Sequence, residues 1–257
     1  LKTGIPELVD RQTDNAWIAG PGIGGYWPSD NYGWLPDNQS VWFQSEESGY
    51  SHLYSVDTKT GRKKALTSGE YEIYEPEISN DKKSWYFSAN MEHPGVRHFY
   101  NMPLKGGKPT KLTTLPGRND VMLSPDEEVM AIRYSSANRP WEIYLQTNKK
   151  GEKAKRITHS LSEEFMQYEW RMPEFITFKA RDGEKVHARL YQTKQTGKNN
   201  AAIIFVHGAG YLQNAHKWWS HYYREYMFHN ILVDNGYTVL DIDYRGSAGR
   251  SEEHTSE

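Results

Sequence analysis

Residues 205–211 read "FVHGAGY", an apolar run that stops at a histidine followed by small residues. Small residues at such a point let backbone N–H groups approach a substrate closely. N–H groups aimed at a developing alkoxide stabilise a tetrahedral intermediate by about 2.7–4 kcal/mol per donor. The chemistry that this loop could serve is therefore acyl transfer, with His207, Gly208 and Ala209 as the oxyanion-loop candidates. The alternative is that the glycines only permit a tight strand-to-helix turn.

An oxyanion loop is half of a site, and the other half needs a nucleophile and a base. The 257 residues contain no G-x-S-x-G elbow and no cysteine, so thiolate nucleophiles, disulfides and cysteine-ligated zinc are excluded. His216, His221 and His229 lie on or beside a helical stretch, where a packed or solvated imidazole is the ordinary reading. The pairs Glu46-Glu47, Glu127-Glu128 and Glu163-Glu164 could be carboxylate dyads, but the first two fall in or beside turns, where charge is simply solvated. Glycines in "AGPGIGGYW" have no following helix to supply a phosphate-binding N-terminus, and the stretch reads as an inter-strand loop.

The elements that must position the loop follow from periodicity. Residues 175–180, "FITFKA", alternate as a half-buried strand, Asp182-Gly183 signals a two-residue hairpin, and residues 186–191 return as a second strand. The run "AAIIFV" at 201–206 reads as a strand buried on both faces of a parallel sheet. Trp219, Tyr222, Tyr223, Tyr226, Met227, Asn230 and Ile231 recur at steps of three and four, predicting an amphipathic helix that Asn235-Gly236 stops. Residues 237–242, "YTVLDI", form the next buried strand. The order hairpin, strand, helix, strand predicts a right-handed β-α-β crossover entered from an antiparallel pair, with the "HGAGY" loop at the carboxyl end of a strand, where ligands gather.

Upstream, residues 34–158 repeat with a period of about 45 residues. Turns led by Pro36-Asp37, Asn80-Asp81 and Pro125-Asp126 each precede an aromatic or β-branched run. "HLYSVD", "HFYNMP" and "EIYLQT" then place Tyr54, Tyr100 and Tyr144 at matching positions, followed by Gly61, Gly106 and Gly151 and by "KALT", "TKLT" and "KRIT". Several short strands per unit at this period are the signature of β-propeller blades. Three are visible, and residues 1–33 read as the end of another, which implies an internal start. His52 and His98 occupy equivalent blade positions and are read as structural.

Lys plus Arg total 31 against 33 Asp plus Glu, and the basic residues form no aromatic-interleaved stripe, which argues against nucleic acid. The longest apolar run, Ala201–Val206, is far short of the roughly 20 residues of a membrane-spanning helix. The compartment, cytoplasmic or exported, stays open.

Taken together, "WLPDNQSVWFQSEESGYSHLYSVDTKTGRKKALTSG", "EFITFKARDGEKVHARLY", "FVHGAG" and "DIDYRGSAG" resemble the prolyl oligopeptidase family of serine peptidases, especially its dipeptidyl-peptidase and acylaminoacyl-peptidase branches. The resemblance covers nearly the whole chain. It implies a partial β-propeller of three to four blades over residues 1–168 and the first part of an α/β-hydrolase domain over 169–249. The last eight residues, 250–257, resemble the translation of a sequencing adapter and are read as a non-native tail. The resemblance further implies a serine-type exo- or oligopeptidase that hydrolyses short peptides by a Ser-Asp-His triad lying beyond this chain, without cofactor or metal, and a fragment that is itself inactive. In the family Asp and His follow the serine in chain order, so Asp241, Asp243, His216, His221 and His229 are poor substitutes. The backbone of Gly208 or Ala209 would be an oxyanion donor, and His207 stands where some relatives place an assisting tyrosine. The paired glutamates that bind a substrate amine in dipeptidyl peptidases sit in a Trp-containing propeller segment, a context that neither Glu46-Glu47 nor Glu163-Glu164 has. A homo-oligomer is left open. Two other readings stand beside this one: a non-enzymatic propeller used as a binding module, and an esterase or lipase on the same hydrolase fold.

Overall fold

The computed structural model describes residues 4, 6, 8–14, 18, 20–23, 31–192, 201–208, 212–244 and 246–249. Its first three sheets are four-stranded antiparallel meanders, one for each sequence repeat. The first holds β1 (Tyr32–Trp34), β2 (Ser40–Ser45), β3 (His52–Asp57) and β4 (Lys63–Ala65). The second holds β5 (Ile73–Ile78), β6 (Ser84–Ala89), β7 (His98–Pro103) and β8 (Thr110–Lys111). The third holds β9 (Arg118–Leu123), β10 (Val129–Ser136), β11 (Arg139–Thr147) and β12 (Lys155–Arg156).

The repeated residues form repeated bonds. In each turn between the first two strands, an aspartate accepts backbone N–H groups two or three residues on: Asp37 from Gln39 and Ser40, Asp81 from Lys83, Asp126 from Glu128. The residue after the aspartate is left-handed, with φ of 53° at Asn38, 60° at Lys82 and 60° at Glu127, so the carboxylate compensates a strained non-glycine turn. The aromatic anchors face one another across the ladder, Phe43 opposite Tyr54 and Phe87 opposite Tyr100.

The threonine of "KALT", "TKLT" and "KRIT" closes each sheet. Thr67, Thr113 and Thr158 accept the N–H of Leu53, Phe99 and Ile143 at 3.0, 2.9 and 2.8 Å. The side chain one residue earlier, His52, His98 or Glu142, contacts the same hydroxyl. The Gly69 carbonyl, 2.8 Å from His52 Nε2, can only accept, so Nε2 carries a proton; burial holds the imidazole below its ordinary value, and Nδ1 accepts the single Thr67 hydroxyl hydrogen. His52 is therefore a neutral, buried imidazole, and its position in a repeat agrees with the structural role expected from the sequence. Leu53, Leu66, Ile73, Trp85, Phe87 and Met102 pack the first sheet on the second, and Phe99, Leu112, Met130 and Ile132 pack the second on the third.

After the short helix α1 (Glu163–Gln167), capped by Ser162, the fourth sheet departs from this plan. β13 (Glu174–Lys179), β14 (Lys185–Tyr191), β15 (Ala202–Val206) and β16 (Thr238–Asp243) stand in the order β13-β14-β16-β15, with helix α2 (Tyr223–Asp234) between β15 and β16 in sequence. β13, β14 and β16 pair antiparallel, and β15 pairs parallel with β16. The Asp182-Gly183 turn is longer than the two-residue hairpin expected: Ala180 N–H bonds to the Glu184 carbonyl at 2.8 Å, leaving three residues between, with Gly183 at φ 95°.

Two further expectations shift. α2 starts at Tyr223, because Trp219 is buried ahead of the helix against Trp170, Phe165 and Tyr226; a packed loop residue matched the helical spacing. β15 is the sheet edge, and Ile204 and Val206 are 63% and 53% exposed, so the strand is covered on one face only, where Phe205 meets Tyr222 and His229. Gly236 follows the helix as expected, with φ 86° and its N–H on the Val233 carbonyl at 3.0 Å.

The segment 212–222 docks the fourth sheet on the blades. Lys217 N–H bonds to the Gly95 carbonyl at 2.7 Å, Gln213 Nε2 to the Pro94 carbonyl at 3.0 Å, and Asn90 Nδ2 to the Gly249 carbonyl at 3.0 Å. Gly95 is required by proximity: a Cβ there would lie 2.7 Å from the Ala215 carbonyl oxygen. The Arg97 guanidinium lies 3.8 Å from the Tyr74 ring centroid and 5.2 Å from that of Trp218, joining a blade to the docked segment by cation–π contact.

Candidate active site

β15 and β16 run parallel and end together, Val206 beside Ile242. The segments that follow, from His207 and from Tyr244, therefore leave the same end of the sheet. His207 is buried, and its ring lies against Tyr244 with centroids 4.5 Å apart. Its Nδ1 is 2.9 Å from the Gly208 carbonyl oxygen, and its Nε2 is 2.9 Å from Ser247 Oγ and 3.5 Å from Asp243 Oδ1. Gly208, exposed, also accepts the Tyr244 hydroxyl at 2.8 Å and directs its N–H at the Tyr222 hydroxyl at 3.4 Å. Of the three loop candidates, His207 and Gly208 are thus placed, while Ala209 lies outside the described residues, as do residues 250–257.

Ser247, His207 and Asp243 are the three residue types of a hydrolytic triad, but their geometry is not that of one. In a triad the carboxylate holds one ring nitrogen and the nucleophile hydroxyl faces the other. Here both approach Nε2, and the Ser247 hydroxyl donates to the Tyr244 carbonyl at 2.6 Å. Its proton is not on the imidazole and its oxygen is buried.

The charges beneath the loop hold the scaffold. Asp241 and Asp243 sit at alternate positions of β16, both fully buried. Asp241 meets Arg189 of β14 at 2.5 Å, accepts Asn214 Nδ2 at 3.0 Å and lies 3.8 Å from His229 Nε2. Burial pushes the Asp241 carboxyl up, but Arg189 and these hydrogen bonds outweigh it and bring it down to about 2. Asp243 Oδ1 accepts the backbone N–H of Asn214 and of Ala215 at 2.7 and 3.0 Å, tying the docked segment to the end of β16. Neither aspartate is brought to a substrate-facing position.

His216 stacks on Trp218 at 3.9 Å, and burial, with Arg189, His221, Arg97 and Arg118 adding to it, holds its pKa far below the ordinary value. It is a neutral packing group. Of the acidic pairs, Glu47 pairs with Lys63, Glu127 accepts the Asn80 N–H, and Glu163-Glu164 form the first turn of α1. The Gly-rich stretch contributes a turn at 20–23, with Ile23 N–H on the Gly20 carbonyl. Among the described residues no group of three His, Asp or Glu side chains is arranged to hold a metal ion.

Sequence reasoning missed Ser247, Tyr222 and Tyr244 as partners of the loop, and Arg189 and Asn214 as partners of the aspartates beneath it. One signal was available: "DID" at 241–243 puts two carboxylates on one face of a buried strand, which obliges the fold to supply a cation and donors there. Nothing in the sequence says that Arg189, 52 residues earlier, is that cation.

A polar cleft of about 630 Å³ opens between the second sheet and the β13–β14 hairpin, lined by Glu92, His93, Glu184, Lys185, His187 and Gly249 among others. No helix among the described residues is long and apolar enough to cross a membrane.

The chain is similar to dipeptidyl peptidase 4 of Trichophyton tonsurans, 24% identical over 226 residues that cover 82% of this chain and 28% of that protein. It is also similar to human dipeptidyl peptidase 8, 22% identical over 282 aligned positions covering 95% of this chain and 31% of that protein. The chain thus spans less than a third of the length of these curated relatives. Residues 2–141, more than half of the chain, match the family model described as the dipeptidyl peptidase IV N-terminal region, a propeller region in keeping with the three repeated sheets. By that match the chain belongs to the dipeptidyl peptidase IV family, a family of peptidases.

Proposed function

We propose that this chain is a piece of a serine exopeptidase in which a β-propeller, reaching to about residue 168, caps an α/β-hydrolase domain that begins in residues 169–249. The observation that carries the reading is the docking of a mixed, parallel-containing sheet on propeller-type sheets, with His207 and Gly208 leaving the carboxyl end of its parallel pair. That strand order with a β-α-β crossover is how such a hydrolase sheet begins, and its oxyanion loop leaves this strand. The names of the relatives support dipeptides as the product and short peptides as the substrate.

In this reading the substrate carbonyl is attacked by a serine outside the chain, and the negative oxygen is met by a backbone N–H of Gly208 or Ala209. The Gly208 N–H is well suited to this: its present bond to Tyr222 is long, at 3.4 Å, and a charged oxygen is a stronger acceptor than a phenol. The aspartate and histidine of the triad also lie outside, since Asp241, Asp243 and His207 are engaged elsewhere. The 257-residue chain alone is inactive.

Two measurements test the reading. The open reading frame carried past Gly249 should encode a G-x-S-x-G within about 50–80 residues, and the longer protein should release dipeptides and react with a fluorophosphonate. The 257-residue chain should not react. A frame without the elbow, or an unreactive longer protein, leaves a propeller binding module; turnover of simple esters but not peptides leaves an esterase.

A further inference from the structure

The donors and acceptors around His207 decide its charge. The Gly208 carbonyl, 2.9 Å from Nδ1, can only accept. The Ser247 hydroxyl has one hydrogen, and it is directed to the Tyr244 carbonyl at 2.6 Å, so towards Nε2 at 2.9 Å its oxygen can only accept. Asp243, 3.5 Å from the same Nε2, is an acceptor when ionised. Both ring nitrogens therefore face acceptors, and a histidine that donates at both is an imidazolium.

We propose that His207 is a buried imidazolium whose two N–H groups clamp Gly208 to the end of β16, making it the positioning residue of Gly208. For its catalytic consequence this rests on the oxyanion-loop reading above; the charge and the clamp do not.

The groups facing His207 agree. From β16 come Asp243 and, farther off, Asp241, whose cation Arg189 lies on β14. From the following segment come Tyr244, stacked on the ring, and Ser247; the Tyr222 hydroxyl ahead of α2 meets Gly208. Burial alone pushes His207 down, but Asp243 and the Gly208 carbonyl outweigh it and hold the imidazole above its ordinary value. When the proton leaves, one ring nitrogen turns a lone pair on an acceptor. Either the Gly208 contact or the Ser247–Asp243 contact is then lost, and the loop end is held from one side only.

The test reads the imidazole directly. With ¹⁵N-histidine label in the 257-residue chain, in solution or sedimented under magic-angle spinning, both His207 nitrogens should carry protons at about pH 7.5, where an ordinary histidine is neutral. Its signal is assigned by its loss in His207→Gln. Asp243→Asn, which keeps an acceptor for Asn214 and Ala215, should return His207 to a neutral ring at that pH, whereas Ser247→Ala should leave it charged. From about pH 6.5, the ordinary histidine value, up to the pH at which His207 titrates, Gly208 amide exchange should rise by up to about tenfold per pH unit relative to a control amide in β7, and the excess should level off above that pH. A neutral His207 in the parent chain overturns the proposal, as does an unchanged ring in Asp243→Asn. A charged ring with Gly208 exchange indifferent to its loss overturns the clamp. Failure of the longer protein to react with fluorophosphonate would sink the oxyanion reading and leave these results standing.

Discussion

The blades and the fourth sheet use the same side chain in opposite charge states. His52 is neutral, held below its ordinary value, and a threonine hydroxyl has a hydrogen to give its Nδ1. His207 is charged because a carbonyl, an occupied hydroxyl and a carboxylate can only accept from it. Both are buried to within a few percent of full exclusion, so burial does not separate them. What separates them is whether the nearest oxygen has a hydrogen left to give.

The two regions also differ in how they hold charge. The blades keep their turn carboxylates exposed, as at Asp37 and Asp126, and set the buried Glu72 and Glu142 against amide and hydroxyl donors. The fourth sheet buries Arg189, Asp241 and Asp243 together. A network of this kind is stable only while each member keeps its partner. This gives the fourth sheet sharper points of failure than the blades.

The largest contrast should come from Arg189→Met, which leaves Asp241 buried without its cation. The expected cost is about 3–5 kcal/mol, measured by chemical denaturation. Protease protection should be lost in residues 174–243 first, and equal loss of protection across the blades would break the distinction. Gly95→Ala should come next, at about 1–3 kcal/mol, because the added methyl meets the Ala215 backbone; it should loosen the docked segment and leave the blades intact. Thr67→Val and Thr113→Val should each cost about 1–3 kcal/mol by stranding a buried amide. If the repeat is a true physical repeat the two values should agree closely, read from the same denaturation curves.

Acidity should then act on the two regions in opposite directions. Burial holds His52 and His98 below their ordinary value. Stability from keeping them neutral is present above about pH 6.5, the unfolded value, and is lost as pH falls through their folded values. His207 is held above its ordinary value, so its contribution is full below about pH 6.5 and is lost as pH rises through its folded value. Hydrogen exchange across pH should loosen β3 and β7 on the acid side and the 207–208 loop on the alkaline side, and a single shared optimum would contradict this. The smallest effect on folding belongs to Ile204→Lys. On the exposed edge strand it should change stability by less than about 0.5 kcal/mol while reducing concentration-dependent association in sedimentation, because a charged edge resists pairing with another chain.

The repeat was legible in the sequence because each unit makes its own local bonds: the aspartate two residues from the amide it holds, the glycine after the third strand, the threonine some 14 residues from its partner. Such contacts recur with the text. The strands and helix of residues 174–243 were legible too, within a few residues, because burial imposes a period on them. Trp219 fell outside the helix since a tertiary pocket of aromatic rings, and not helical spacing, buries it.

The sequence by itself determined where the loop "FVHGAGY" would leave its strand, since an apolar run and a string of small residues suffice for that. Only the tertiary structure decided what His207 does. Its partners come from Gly208, Asp243, Tyr244 and Ser247, brought together by the parallel pairing of β15 with β16. A protonation state depends on which hydrogens those neighbours have free, and that is a property of positions in space that residue order does not carry.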